Sequence, residues 1–465
     1  MLTADDLPVT VDPTSAVALS VQVADALRQA ATDGRLRVGD KLPSSRALAT
    51  RIGVSRTVTS AAYEQLHAEG WIAGRHGSGT YVTAAPTSSP TPRAVVASAA
   101  PESTLVDLAP GAPSVDAFDS AAWRRAWRAA GNRVPESRPQ RAGLPDYRAA
   151  VAEHLLRHRG LVDQDVVLAT SGTSAAAGEL ARAVLSPGDV VAVEEPGYGR
   201  TVGALRAAGM RVHPTRVDRG GLCLDDIPAD VRAVYCTPAH QFPTGARMPA
   251  ARRIALVERA RREGWLVIED DYDSELHYGS APLPLLAAIG PDVVVHLGTT
   301  SKILTPTLGI GWLAAPAHVA DRIVDYRELV GTSPAIAGQV VVTEFARSGD
   351  LARHLRRVRR GAARRRAAVL DILADKGIAH EGAEAGVHLV IPMPTPAAER
   401  GVVSAAAEHG IRVDGLRRHF QGVPYRYGIA LGYTACAEEE LTPAVEAVTK
   451  LIVTEVQANS LRRNS

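Results

Sequence analysis

Apolar positions recur every three or four residues through VALSVQVADALRQAATDG, residues 17–34, and this spacing predicts an amphipathic helix. Ser20 is placed to cap its start and Gly34 to stop it. Two shorter helical stretches follow, SSRALATRIG and SRTVTSAAYEQLHAEG, separated by the turn that carries Gly53. WIAGRHGSGTYVTA then sets two β-prone arms around a glycine-rich turn, which predicts a hairpin.

The pattern changes after residue 83. Residues 84–103, AAPTSSPTPRAVVASAAPES, have no amphipathic period and are rich in Pro, Ser, Thr and Ala, as expected of an extended linker. From 104 to 465, short β-branched runs (DVVLAT, DVVAVEEP, RVHPTRV, AVYCTP, WLVIED, VVVHLG, IGWL) alternate with Ala-rich helical ones. That alternation predicts a doubly wound, largely parallel α/β sheet. The strand GVHLVIPM and the closing helix near TPAVEAVTKLIV suggest a smaller α+β subdomain. The expected division is therefore 1–83, a linker at 84–103, and 104–465.

Composition adds little beyond exclusions. With 52 basic and 50 acidic residues the net charge is +2, so any nucleic-acid surface must be local. Three cysteines without metal-type spacing argue against a disulfide framework and a zinc site, and no metal is expected. No apolar run has membrane-spanning length, and the N-terminus lacks the basic and apolar segments of a signal peptide, so a cytoplasmic protein is expected.

Helix, helix, turn, helix, hairpin is the order of a winged helix-turn-helix, whose second helix enters the major groove N-terminus first. Ser44 can cap the first short helix, leaving Arg46 exposed to a phosphate. Ser55 can cap the next, with Arg56 and Thr57 in its first turn and Thr59 close behind. In the hairpin, Arg75 and His76 precede Gly77, where the loop can approach a minor groove. The string LPSSRALA…GVSR…AYEQLHAEGW…GSGTYV resembles the GntR family of regulators over residues 17–82. Many relatives carry a further basic residue where this chain has Ser60-Ala61-Ala62.

Lysine is scarce: Lys41, Lys302, Lys376 and Lys450 are the whole set. Only Lys302 follows a buried-type strand, VVVHLGTTSK, with hydroxyl residues before it, as the lysine of a pyridoxal phosphate (PLP) site does. WLVIEDDYDSE puts Asp270 and Tyr272 at the carboxyl end of an apolar strand, where ligands of open α/β sheets gather. Asp270 suits the pyridine nitrogen and Tyr272 the ring oxygen, although such an acidic cluster also suits magnesium. TSGTSAAAGEL offers Gly172, Thr173 and Ser174 at a helix start, an anion site suited to phosphate. Tyr198 in VEEPGYGR can stack on the ring, and Arg200 can meet a carboxylate.

Together these motifs, with AGLPDYRAAVAEHL, TPAHQFPTGARMP and GTTSK, resemble the fold-type I aminotransferases, and specifically the MocR/GabR-type branch of the GntR regulators. The resemblance implies PLP held as an imine on Lys302, with Asp270 and Tyr272 on its ring and Tyr198 stacked upon it. It also implies Thr299 and Ser301 at the phosphate and His240 on the ring-oxygen side. Arg200 and Arg426 would receive an effector carboxylate. The partners implied are operator DNA, an amino compound or PLP itself as effector, and a second copy of the chain in a head-to-tail homodimer.

One departure stands out. Relatives typically place a phosphate-binding arginine seven residues after the lysine, and SKILTPTLGIGW has Gly309 there. Losing a charge-assisted clamp should loosen the cofactor, unless another arginine such as Arg247 replaces it. The expected function is a PLP-dependent transcription regulator with at most slow transamination. The alternatives are a working aminotransferase with an accessory DNA-binding domain, and a regulator that has lost PLP and senses another ligand.

Overall fold

A computed structural model describes the chain except residues 1–6, 8, 76–78, 85–104, 114–117, 162–166, 274, 279–283, 383 and 464–465. His76, Gly77 and nearly all of the expected linker lie outside the described residues, as does the Arg75 side chain. The chain forms two compact units, Met1–Ser103 and Thr104–Ser465.

The first unit runs α1 (Leu19–Thr32), β1 (Lys41–Leu42), α2 (Ser45–Ile52), α3 (Arg56–Ala68), β2 (Ile72–Arg75) and β3 (Gly79–Val82). The α1 periodicity buries Val23, Ala24, Leu27, Ala30 and Ala31, which share a core with Leu48, Ala62, Leu66, Ile72 and Val82. Ser20 lies inside α1, whose N-cap is Ala18 with no side-chain cap, so the capping expectation for Ser20 is corrected. Gly34 follows the helix at φ 75°, a left-handed position that favours glycine. Ser44 and Ser55 do cap α2 and α3, accepting from the amides of Ala47 and Val58. The hairpin gains a strand unseen in the sequence, because β1 pairs antiparallel with β3 to give the order β1-β3-β2.

The second unit begins with β4 (Val106–Asp107), α4 (Ser120–Gly131), α5 (Pro145–Arg159), β5 (Val167–Thr170), α6 (Thr173–Val184) and β6 (Val190–Glu195). It continues with α7 (Gly199–Ala207), β7 (Arg211–Asp218), β8 (Gly221–Leu222), β9 (Val231–Cys236), α8 (Ala250–Glu263), β10 (Leu266–Asp271) and α9 (Leu286–Ile289). Next come β11 (Val294–Thr299), β12 (Gly311–Ala314), α10 (Ala317–Val330), α11 (Ile336–Arg347) and α12 (Asp350–Asp375). β13 (His388–Met393), α13 (Pro396–Glu408), β14 (Ile411–Arg412), β15 (Asp414–Gly415), β16 (Tyr427–Gly432) and α14 (Glu438–Arg463) close the chain.

Eight strands form one sheet in the order β5-β12-β11-β10-β9-β6-β7-β8. Its centre is parallel, but β12 runs antiparallel to both β11 and β5. Alternation along β10 shows why helices cover both faces: Val267 packs into one core with Leu256 and Phe345, and Ile268 into another with Leu180 and Leu205. The smaller subdomain is the antiparallel sheet β13-β16-β15 packed on α13 and α14. Pairing of β14 with β4 ties the start of the unit to that subdomain.

Candidate functional site: a pocket at the carboxyl ends of the central strands

Because β10 and β11 are parallel neighbours, their carboxyl ends deliver Asp270 and the Thr299–Lys302 turn to the same edge of the sheet. Asp270 is buried, and its Oδ2 receives the Tyr235 hydroxyl from β9. Its Oδ1 is buried with no hydrogen-bond partner. Burial pushes this carboxyl up to about 6, while the Tyr235 and Thr173 hydroxyls pull it back. A buried acceptor of that kind calls for an N–H donor, which a protonated pyridine nitrogen supplies.

Lys302 is largely buried, and its Nζ donates to the Gly111 carbonyl. Burial lowers its pKa; the carboxylates of Asp273 and Asp270 oppose the shift and Arg200 adds to it. A lysine with a weakened hold on its proton is a better nucleophile at neutral pH.

On the opposite side, α6 opens at Gly172, whose φ of 106° no L-residue adopts easily and whose side gives the helix no cap. The first-turn amides of α6, with Thr173 and Ser174, are therefore open to an anion. A Cβ at Gly172 would lie 3.9 Å from the Thr299 hydroxyl, so the helix start and the turn before Lys302 are adjacent. Thr299 and Ser301 hydrogen-bond each other at 2.9 Å, and the Ser174 hydroxyl reaches Thr201 at 3.3 Å.

Tyr198 caps α7 half-buried, its ring edge-on to Phe242 with centroids 5.4 Å apart. Arg200 is exposed two residues on, close enough to act on both Tyr198 and Lys302. Tyr272 and His240 meet at 3.1 Å, and His240 also meets Asp273 at 2.9 Å. Arg426 is paired with Glu381, so receiving an effector carboxylate would require that pair to open.

Two expectations need correction. Arg247 pairs with Glu384 at 3.6 Å and acts on His240, so it stands on the ring-oxygen side and does not replace the phosphate arginine. The acidic cluster is also no magnesium trio, because its members face different partners: Asp270 takes Tyr235, Asp271 takes Arg159 at 2.5 Å, and Asp273 takes His240. The ligand atoms of His240, Asp273 and His388 lie within 4.8 Å of one another, but both His240 nitrogens are occupied by protein acceptors. At Gly309 the backbone turns at φ 59° after a short 3-10 turn, and a Cβ there would meet nothing within 4 Å. The space for a side chain exists, but the sequence leaves it without a cation.

In the first unit, Arg46, Arg56 and Thr57 are exposed. Thr59 is not: it is fully buried, and its hydroxyl donates to the carbonyls of Ser45 and Arg56 at 2.8 and 3.0 Å. Thr59 therefore joins α3 to α2, which corrects its assignment as a DNA contact. Sequence reasoning missed Tyr235, Phe242, Asp273, His388 and Gly111 at the pocket. Tyr235 reads as one more apolar strand position, and only strand pairing sets it beside Asp270.

The pattern described as aminotransferase class I and II matches residues 103–420, and that of bacterial regulatory proteins of the gntR family matches residues 19–82. The chain is 33% identical over 446 residues to the HTH-type pyridoxine biosynthesis transcriptional regulator PdxR of Corynebacterium glutamicum, covering 94% of this chain and 96% of that one. It belongs to the MocR-type branch of the gntR family. The probable rhizopine catabolism regulatory protein MocR of Rhizobium meliloti is 30% identical, with 92% of each chain covered. Among solved structures, the kynurenine aminotransferase of Pyrococcus horikoshii superposes with a TM-score of 0.70 at 23% identity, over 76% of this chain and 92% of that one, and shows the fold. The chain is thus a DNA-binding transcription regulator with an aminotransferase-like domain, a fold whose cofactor is PLP. The partnerless Asp270 oxygen, the buried amine and the open helix start fit that cofactor.

Proposed function

We propose that the pocket around Lys302 is the sensor of this MocR-type regulator, binding PLP and reading out either an amino compound or the supply of PLP itself. The observation that carries this is the buried, partnerless Oδ1 of Asp270 in the same pocket as a largely buried lysine. When bound, PLP supplies a reactive aldehyde and an electron-withdrawing ring. Lys302 presents the amine, Asp270 receives the pyridine N–H, and Tyr272 with His240 faces the ring oxygen. Tyr198 covers the ring face. Gly172, Thr173 and Ser174, with Thr299 and Ser301, surround the phosphate. Arg200 receives the carboxylate of an amino compound, and Arg426 joins it once released from Glu381.

In this reading the protein acts in the cytoplasm as a head-to-tail homodimer. Ser44, Arg46, Ser55, Arg56 and Thr57, with His76 and Gly77 of the wing, meet the operator. Ligand binding changes operator affinity only through a difference in affinity for two domain arrangements. Without an arginine at 309, PLP is held by helix amides and hydroxyls, which suits a cofactor that comes and goes.

Visible absorbance of the full-length protein titrated with PLP tests the reading, with Lys302→Ala as control. A Lys302-dependent band is expected, together with PLP-dependent binding to duplex DNA from the upstream region of its own gene. No such band at saturating PLP overturns the sensor assignment, and sustained conversion of amines to keto acids favours the aminotransferase alternative.

A further inference from the structure

His240 lies behind Tyr272 with its side chain 1% exposed, and both of its ring nitrogens face acceptors. Nδ1 is 2.9 Å from the Asp273 carboxylate and 3.1 Å from the Tyr272 hydroxyl oxygen, and Nε2 is 3.3 Å from the Gly382 carbonyl. A carbonyl has no proton to give, and a carboxylate beside an imidazole accepts one, so both nitrogens carry hydrogen. We propose that His240 and Asp273 form a buried ion pair that turns the Tyr272 proton toward the ligand, so that the pocket recognises the cofactor's ring oxygen as an anion. This inference rests on the reading of the pocket as a PLP site.

The orientation follows from proton counting. Nδ1–H is shared between Asp273 and the lone pairs of Tyr272, so the tyrosine spends no proton on its neighbour and keeps one to donate. The position is tightly held: a Cβ at Gly386 would come within 2.3 Å of His240 Cε1 and 2.4 Å of Asp273 Oδ2. Burial alone would push His240 down, and Asp273 beside it more than reverses this. Of the other charges around the ring, Arg247 opposes the imidazolium and is itself paired with Glu384.

From β13, His388 stacks near His240 with centroids 5.0 Å apart, and it takes the opposite state. Its Nε2 donates to the Pro243 carbonyl at 3.0 Å and its Nδ1 has no partner, so it is neutral. Burial and then the charge on His240 hold it well below the usual histidine range. On the pocket side, Lys302 acts on His388, and Asp270 acts on Tyr272.

A cation beside the ring oxygen favours its anion and lowers the affinity of the adjoining Lys302 nitrogen for its proton. Removing that cation therefore raises the pH at which the visible band of the PLP-loaded protein is lost. His240→Asn and Asp273→Asn should each raise this midpoint by about one unit or more, a shift that a purely structural loss of stability would not produce. Nitrogen-15 spectra of histidine-labelled, cofactor-free wild-type protein near neutral pH should show His240 protonated on both nitrogens and His388 on one. A neutral His240, or a midpoint unmoved in both variants, overturns the proposal. If the variants fail to take up PLP, the wild-type spectra still decide the ion pair. Absence of a Lys302-dependent band would instead defeat the PLP reading, leaving the histidine spectra as a separate answer.

Discussion

Thr59 and Asp270 show how a single buried oxygen decides a role. Thr59 sits in the first turns of α3, where a small polar residue reads as a base contact, yet its hydroxyl is spent on two carbonyls inside the unit. Thr59→Val should cost about 1–2 kcal/mol in stability of the N-terminal unit, by leaving the Ser45 carbonyl unsatisfied. Its ratio of specific to non-specific DNA affinity should be unchanged, as competition binding at low temperature will show. A changed ratio with unchanged stability would return Thr59 to the DNA interface.

Asp270 carries the opposite burden, since its fold raises the carboxyl from 3.8 to about 6. The folded chain holds that proton more tightly than the unfolded one. Its contribution to cofactor-free stability is therefore fully present below pH 3.8 and lost as pH rises through about 6. Asp270→Asn should leave the cofactor-free protein no less stable at pH 7.5, while weakening PLP binding by about tenfold or more. Thermal unfolding and an absorbance titration measure the two halves. A large fall in cofactor-free stability would mean that the carboxylate serves the fold.

At the scale of elements, the pocket is made by ends. The carboxyl ends of β10 and β11, the start of α6 and the start of α7 each bring one or two polar groups, while their middles are apolar and packed. The turn between β11 and β12 departs from the family pattern at Gly309, where nothing crowds a Cβ and only the φ of 59° resists a side chain. Gly309→Arg should cost about 1 kcal/mol in backbone strain and slow PLP release by about tenfold, followed as loss of the visible band on dilution. Unchanged release would show that this turn does not face the phosphate.

Across the whole large unit, distant segments are tied by buried charge. Glu275 meets His154 of α5 at 2.7 Å and Arg359 of α12 at 2.8 Å. Burial alone would raise this carboxyl, but His154, Arg159 and Arg359 hold it down at about 2. The stabilisation is present above pH 4.5 and lost as pH falls toward about 2. Glu275→Gln should be destabilised by about 3 kcal/mol at most at pH 7, with the gap to wild type closing between pH 4.5 and 2. Denaturant melts across that range give the comparison, and a gap that persists at the acid end would mean packing, not charge, is lost.

Much of this architecture is written in local order. Period and turn chemistry delimit the winged helix-turn-helix, Ser44 and Ser55 announce their helices, and lysine scarcity singles out Lys302, because caps, periodicity and rare residue types act within a few positions of themselves. What joins distant segments could not be read that way. Tyr235 reaches Asp270 through strand pairing, His240 reaches Asp273 across a loop, the antiparallel β12 interrupts a parallel sheet, and Thr59 turns inward. Hydrogen bonds and burial between residues far apart in the chain depend on which surfaces meet, and only the tertiary structure decides that.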